Sequence, residues 1–222
     1  MRIGVIHANT SAVEPLNQTF QRIDPSIQVI NYCNGDMLRL ADEAGKVTAR
    51  AMRIFARTVF EAADAGVDGI IIACSVYCTF VEEIRPFLSV PIVAVDAPAL
   101  EIAADRGGMI GILATTAGSA PACRTKLDKI ARKKNLKLSY RNGIVTEAMD
   151  ALKNGNLEEH DRLLIKESQK LKEQGCNTLI LSQITMARVK DAMDDELKQI
   201  TLTTPEEGIK ELLRNIRKNR RI

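Results

Sequence analysis

Short apolar runs alternate along the chain with longer stretches whose apolar residues recur every three or four positions. The runs predict strands at Ile3–His7, Gln28–Asn31, Gly69–Ala73, Ile92–Val95, Met109–Leu113, Lys137–Tyr140, Thr178–Leu181 and Ile200–Leu202. The helical spacing predicts helices over 13–22, 45–64, 77–87, 97–106, 119–134, 155–174, 184–196 and 205–218. Ile70, Ile71 and Ile72 are apolar on successive residues, which suits a strand covered on both faces. Strand–helix alternation of this kind implies parallel sheets in an α/β fold.

The pattern is written twice. Gly4-Val5-Ile6 returns as Gly111-Ile112-Leu113, an offset of 107 (4 to 111). GVDGIIIAC from Gly66 to Cys74 returns as GCNTLILSQ from Gly175 to Gln183, an offset of 109 (66 to 175). PALEI from Pro98 to Ile102 returns as PEEGI from Pro205 to Ile209, again offset by 107 (98 to 205). A near-constant offset in three separate segments points to duplication. The expected architecture is two pseudo-symmetric open parallel-sheet lobes rather than one closed barrel, which typically needs about 250 residues and has no reason to repeat at half-length. The reading assigns 1–104 to the first lobe and 105–204 to the second, with the glycines of ADRGG (104–108) at the join. The last helix, about 205–222, is expected to pack back on the first lobe.

In open parallel sheets, ligands bind beyond the carboxyl ends of the strands. This rule selects His7 to Ser11, Asn34 to Asp36, Cys74 to Val76, Thr115 to Ser119 and Ser182 to Thr185. The two copies differ there in one chemically important way. The first ends its central strand with Cys74, the second with Gln183.

Composition narrows the function classes. A chain of 222 residues, 45% hydrophobic, is long enough to bury a substantial core. No apolar run approaches the ~20 residues of a membrane span. Met1 leads straight into the Arg2–His7 strand, leaving no room for a signal peptide, so a cytoplasmic protein is expected. The five scattered cysteines then read as free thiols in a reducing compartment. Cys74 and Cys78 lie four apart, but no further ligand with zinc spacing accompanies them, so no metal site is expected. The net charge is only +3, and aromatic residues make up 4%. The basic stretches Arg124–Lys134 and Lys210–Arg221 carry helical apolar spacing, so they read as solvated helix faces and not as a nucleic-acid surface. Arg217–Arg221 reads as a frayed tail.

DGIIIACS at 68–75, GILATTAGS at 111–119 and NTLILSQIT at 177–185, in this order and spacing, resemble the aspartate/glutamate racemase superfamily. That superfamily includes glutamate, aspartate and hydantoin racemases, maleate isomerase and arylmalonate decarboxylase. The resemblance covers nearly the whole chain. It implies two similar α/β lobes with the active site in the cleft between them, no cofactor, and often a homodimer. It also implies two cysteines, one per lobe, that exchange the proton at the substrate's α-carbon from opposite faces. Cys74 falls on the first family cysteine, followed here by Ser75-Val76 where Asn-Thr is common. Gln183 falls on the second, within Ser182-Gln183-Ile184 where Gly-Cys-Thr is usual, with Thr185 one step later. Cys176 is no substitute, because it lies at the other end of the strand, ~20 Å away.

Each candidate has a chemical and a structural reading. Cys74, before a helix expected near Val76, would be stabilised as a thiolate by free N–H groups and the helix dipole, or would be an inert core thiol. Cys78, one turn on, reads as packing. Asn9, Thr116 and Ser119 match family loops that hold substrate carboxylates, with Ser75 and Thr185 nearby; Ser11 and Ser119 also suit helix caps. His7 ends the first strand and is either a tuned acid–base or a loop-binding residue. Asn34-Gly35-Asp36 reads as a turn, and His160, in polar NLEEHDR, as a surface residue. Three functions remain. The first is a cofactor-independent isomerase of a small amino acid or carboxylate, with Cys74 as its one thiol. The second is a single-cysteine lyase like the decarboxylase, and the third a non-catalytic protein that binds a small carboxylate.

Overall fold

The computed structural model describes residues 1–220. The chain forms two compact units. One comprises Met1–Ala97 and the chain from Pro205 onward, the other Pro98–Thr204. The first begins with β1 (Arg2–His7), α1 (Val13–Ile23), β2 (Gln28–Cys33), α2 (Gly35–Ala44), α3 (Ala49–Asp64) and β3 (Gly69–Ile72). A 3₁₀ turn (Tyr77–Phe80), the short α4 (Val81–Ile84) and β4 (Ile92–Ala94) follow. The second unit carries α5 (Ala97–Arg106), β5 (Met109–Ala114), α6 (Ser119–Lys134), β6 (Ser139–Ile144), α7 (Thr146–Lys153), α8 (Leu157–Glu173) and β7 (Thr178–Leu181). A 3₁₀ run (Ile184–Ala192), α9 (Asp195–Ile200) and β8 (Thr201–Thr203) complete it, and α10 (Thr204–Asn219) returns to the first.

All strand pairs are parallel, and the two sheets share one topology: β2-β1-β3-β4 and β6-β5-β7-β8. The central strands β1, β3, β5 and β7 are buried along nearly their whole length, as their continuous apolar runs require. Amphipathic helices cover them. In α3, Ala51, Phe55, Thr58, Val59 and Ala62 form one buried stripe, and the Thr48 side chain caps the helix by accepting from the Ala51 N–H.

The chain passes from the first compact unit to the second at 97/98, at the start of α5. The reason is packing. Ala99, Leu100 and Ala103 of α5 join Ile110, Ile112, Leu127, Ile180 and Leu202 in the core of the second unit. Lys134 of α6 pairs with Glu101 and Asp105 of α5. In the first unit, α10 sits directly on β3. A Cβ at Gly69 would lie 2.9 Å from side-chain carbons of both Leu212 and Ile216.

Several local expectations are corrected. Asn34 does not make an isolated turn; its side chain accepts from the Asp36 N–H and opens α2. Short α7 intervenes between β6 and α8, and β6 lies at 139–144. The helix expected over 77–87 is broken into 3₁₀ turns around α4, and that over 184–196 is a 3₁₀ run. The basic tail is helical to Asn219, and Arg220 pairs with Asp68 at 2.7 Å; Arg221 lies outside the described residues. No helix among the described residues is long and apolar enough to cross a membrane.

Candidate active site

Register makes the strand exits of the two units equivalent. Ile6 pairs with Ile72 across β1 and β3, and Leu113 pairs with Leu181 across β5 and β7. Counting onward, Cys74 and Gln183 each stand two residues beyond the paired position. Asn9 and Thr116 each stand three beyond theirs, and Ala8 matches Thr115.

In the first unit, Cys74 is half-buried beyond β3. Its carbonyl accepts from the Tyr77 and Cys78 N–H groups, both at 2.9 Å, which turns the chain into the 3₁₀ segment. No long helix opens here. The four-residue 3₁₀ turn and four-residue α4 provide little macrodipole for a thiolate. Tyr77 is fully buried, stacks at 4.9 Å on Phe55, and donates its hydroxyl to the Met37 carbonyl at 2.8 Å. Burial pushes the Tyr77 phenol up, and negative charge on Cys74 pushes it further, so the thiol lies within electrostatic reach of the ring. Ser75 is exposed beside it. Cys78 is buried and its thiol donates to the Ile72 carbonyl at 3.3 Å, a packing role.

His7 closes β1 and is 1% exposed. Its Nε2 lies 2.8 Å from Asn31 Oδ1, and the Asn31 amide in turn donates to Asn17 Oδ1 at 3.2 Å. His7 Nδ1 is buried with no protein partner. Burial lowers the imidazole pKa below its ordinary 6.5, opposed by the bond to Asn31. His7 is therefore neutral at pH 7. Asn9 is exposed, and its Oδ1 accepts from the Ser11 N–H and hydroxyl at 3.1 and 2.6 Å. Ser11 does not cap α1, whose cap position is Ala12.

In the second unit, Ser119 is the first residue of α6 and not its cap, which is Gly118. Its hydroxyl lies 2.6 Å from that of Thr116. Gln183 is half-buried, and its Oε1 accepts from the Thr115 N–H and hydroxyl at 2.7 and 2.9 Å. Ser182 is tied to the Leu113 carbonyl through its hydroxyl at 2.7 Å. The Thr185 hydroxyl is buried and unpartnered.

Sequence reasoning missed two features. Cys33 is an exposed thiol at the end of β2, opposite His7 in register; its place at a strand exit was the available signal. His160 is not on the surface but fully buried, with Nδ1 2.9 Å from Asp161 Oδ1, which also accepts from Arg188 at 3.0 Å. The spacing of His160, Leu164 and Leu171 along one face of α8 would have revealed it. Cys176 is buried, and burial pushes its thiol pKa up, which makes it inert. A hollow of about 490 Å³ beside α8, lined by Asp161, Arg162, Lys166, Gln169 and Ala192 among others, holds none of the candidate residues.

The duplicated strand exits, with a thiol on one and hydroxyls on the other, agree with a direct family match. The Asp/Glu/Hydantoin racemase model matches residues 3–212. The chain belongs to the Asp/Glu/hydantoin racemase family. No curated protein matches it by sequence. Solved structures share the racemase fold. An aspartate racemase homologue from Pyrococcus horikoshii OT3 superposes with a TM-score of 0.71 at 14% identity, covering 97% of this chain and 99% of that one. Allantoin racemase from Klebsiella pneumoniae gives 0.66 at 19% identity, covering 96% and 86%. Glutamate racemase from Francisella tularensis in complex with D-glutamate gives 0.62 at 17%, covering 99% and 81%. At these identities the structures establish the fold alone; membership rests on the family match.

Proposed function

We propose that the chain is a cofactor-independent isomerase of the Asp/Glu racemase type, acting at the α-carbon of a small amino acid or carboxylate. The observation that carries this reading is the half-buried thiol of Cys74, two residues beyond the register pair Ile6–Ile72, in a chain of this family. As thiolate, Cys74 takes the α-proton, and the electron pair passes into the neighbouring carboxylate. As thiol, it gives a proton from that same face to a carbanion whose α-proton a second base has taken from the opposite face, which is the step that inverts the carbon. Gln183, at the matched position, cannot exchange a proton near neutral pH. His7 is the second titratable group assigned to the site, since its unpartnered Nδ1 is a neutral acceptor.

Neutral donors stand at the strand exits of each unit. Asn9 has spent its oxygen on Ser11, which leaves its NH2 to donate. Thr116 and Ser119 share one hydrogen bond between two hydroxyls, which leaves one hydroxyl hydrogen to give. Ser75 and Thr185 add two more hydroxyls.

One observation favours a second reading. A single thiol suffices for a lyase in which a substituted malonate loses carbon dioxide and the resulting carbanion is protonated by Cys74 on one face. Incubation of the protein with aspartate, glutamate, allantoin and substituted malonates in heavy water, followed by NMR, separates the two. Epimer formation with deuterium at the α-carbon supports the isomerase. Carbon dioxide release with deuterium in the product supports the lyase. Binding without either leaves a carboxylate-binding protein.

A further inference from the structure

The carboxamide of Gln183 is held in one orientation. Its outer atom lies 2.7 Å from the Thr115 backbone nitrogen and 2.9 Å from the Thr115 hydroxyl. A backbone N–H only donates, so that atom is the oxygen, and Nε2 occupies the other end. Among the described residues, Nε2 donates to no protein group. The residue before it is pinned as well, because the Ser182 N–H and hydroxyl both donate to the Leu113 carbonyl, at 3.1 and 2.7 Å. Gln183 thus leaves β7 with its backbone fixed, its oxygen saturated and two N–H donors unspent.

The first unit has no hydroxyl at the position matched to Thr115. Thr115 falls where the first unit has Ala8, and Gln183 falls where it has Cys74. Both members of the pair are therefore peculiar to the second unit. Gln183 is half-buried, and its unpaired Nε2 is not among the buried unpartnered atoms, so this donor end is open to solvent or to a ligand.

We propose that Thr115 is a positioning residue that turns Gln183 into a fixed two-hydrogen donor for an oxygen of the bound substrate. This rests on the α-carbon isomerase reading and deepens it. Position 183 serves as an electrophilic contact rather than a base: it holds a carboxylate or carbonyl oxygen and stabilises the negative charge that gathers there as the α-proton leaves. The ligand class follows. It carries an anionic or strongly polarised oxygen, because an ammonium group has no acceptor to offer an NH2.

The test uses the full chain labelled with nitrogen-15. The Gln183 side-chain NH2 signals are assigned by their loss in Gln183→Ala. D-glutamate, L-aspartate, allantoin and methylmalonate are then titrated in turn. The expected result is a shift of both NH2 protons that saturates with at least one of the four. For that probe, Gln183→Glu keeps an acceptor for Thr115 but loses both donors and adds negative charge, so its affinity falls by ~10- to 100-fold, in line with a hydrogen bond to a charged group. Thr115→Val weakens binding and moves the NH2 signals of the unliganded protein, whereas Thr115→Ser restores both. Unmoved NH2 signals at saturation, undiminished affinity in Gln183→Glu, or binding of none of the four by the native chain would each overturn the proposal. The isomerase reading fails separately, if the native chain binds a probe through Gln183 but neither exchanges its α-proton nor forms its epimer.

Discussion

His7 and Asn31 are joined by a 2.8 Å hydrogen bond between Nε2 and Oδ1, which leaves Nδ1 of the buried imidazole without a protein partner. Asn31 donates onward to Asn17, so the chain of bonds reads Asn17 from Asn31 from His7. In this arrangement His7 carries its proton on Nε2 and presents a lone pair on Nδ1.

The pH dependence of stability follows from that burial. The native pKa of His7 lies below its ordinary 6.5, chiefly through desolvation. Between those two values the unfolded chain holds more protons than the native one, so unfolding takes up a proton. The stability linked to His7 is therefore full above about pH 6.5 and declines as pH falls towards the native pKa. Urea unfolding at pH 7.5 and 5.5 should show a larger loss in the native chain than in His7→Gln. An equal loss in both would contradict the assignment. Asn31→Ala removes the bond that raises the pKa, so it should lower the His7 titration midpoint measured by NMR.

Gly208 of α10 meets the backbone of Val95. A Cβ there would lie 2.6 Å from the Val95 carbonyl oxygen, and backbone cannot move aside as a side-chain end can. Gly208→Ala should cost about 1–3 kcal/mol despite the better helix propensity of alanine. Denaturant unfolding should show a lower midpoint with an unchanged slope. Unchanged stability would mean that α10 sits further from β4 than described.

Gln183 marks a chain with one exchangeable group fewer than the two-thiol pattern. The α-proton of one enantiomer should exchange much faster than that of the other. Gln183→Cys should create or raise racemisation by supplying a thiol at the position matched to Cys74. The measurement follows both enantiomers in heavy water with native protein and mutant. Equal native rates for both hands would contradict this asymmetry and mean that a second base, His7 or another group, matches the thiol.

The parts of the fold that could be read from sequence are those where burial leaves a pattern. β1, β3, β5 and β7 lie at the centres of their sheets, so their residues are apolar without alternation. β6 is an edge strand in which only Gly143 is fully buried, and its sequence carries too little apolar signal to fix its position. α7 buries only Ala148 completely, and α2 opens on Asn34, whose side-chain bond to the Asp36 N–H would serve a turn equally well. At the site, Cys74 could be found from its place after an apolar run. The bond between Thr115 and Gln183 could not, because 68 residues separate its ends and periodicity carries no trace of a side-chain pair. α5 carries no pattern that distinguishes packing on the preceding sheet from packing on the next.

The assignment of Cys74 is tested most directly by α-proton exchange in heavy water, comparing the native chain with Cys74→Ser on whichever probe the native chain turns over. A hydroxyl is a far weaker acid and base than a thiol near neutral pH. The expected result is a folded mutant, with the native unfolding midpoint, whose exchange rate falls at least ~100-fold, the lower end of general acid–base contributions. A Cys74→Ser protein that exchanges the α-proton at a near-native rate would contradict the central role given to this thiol.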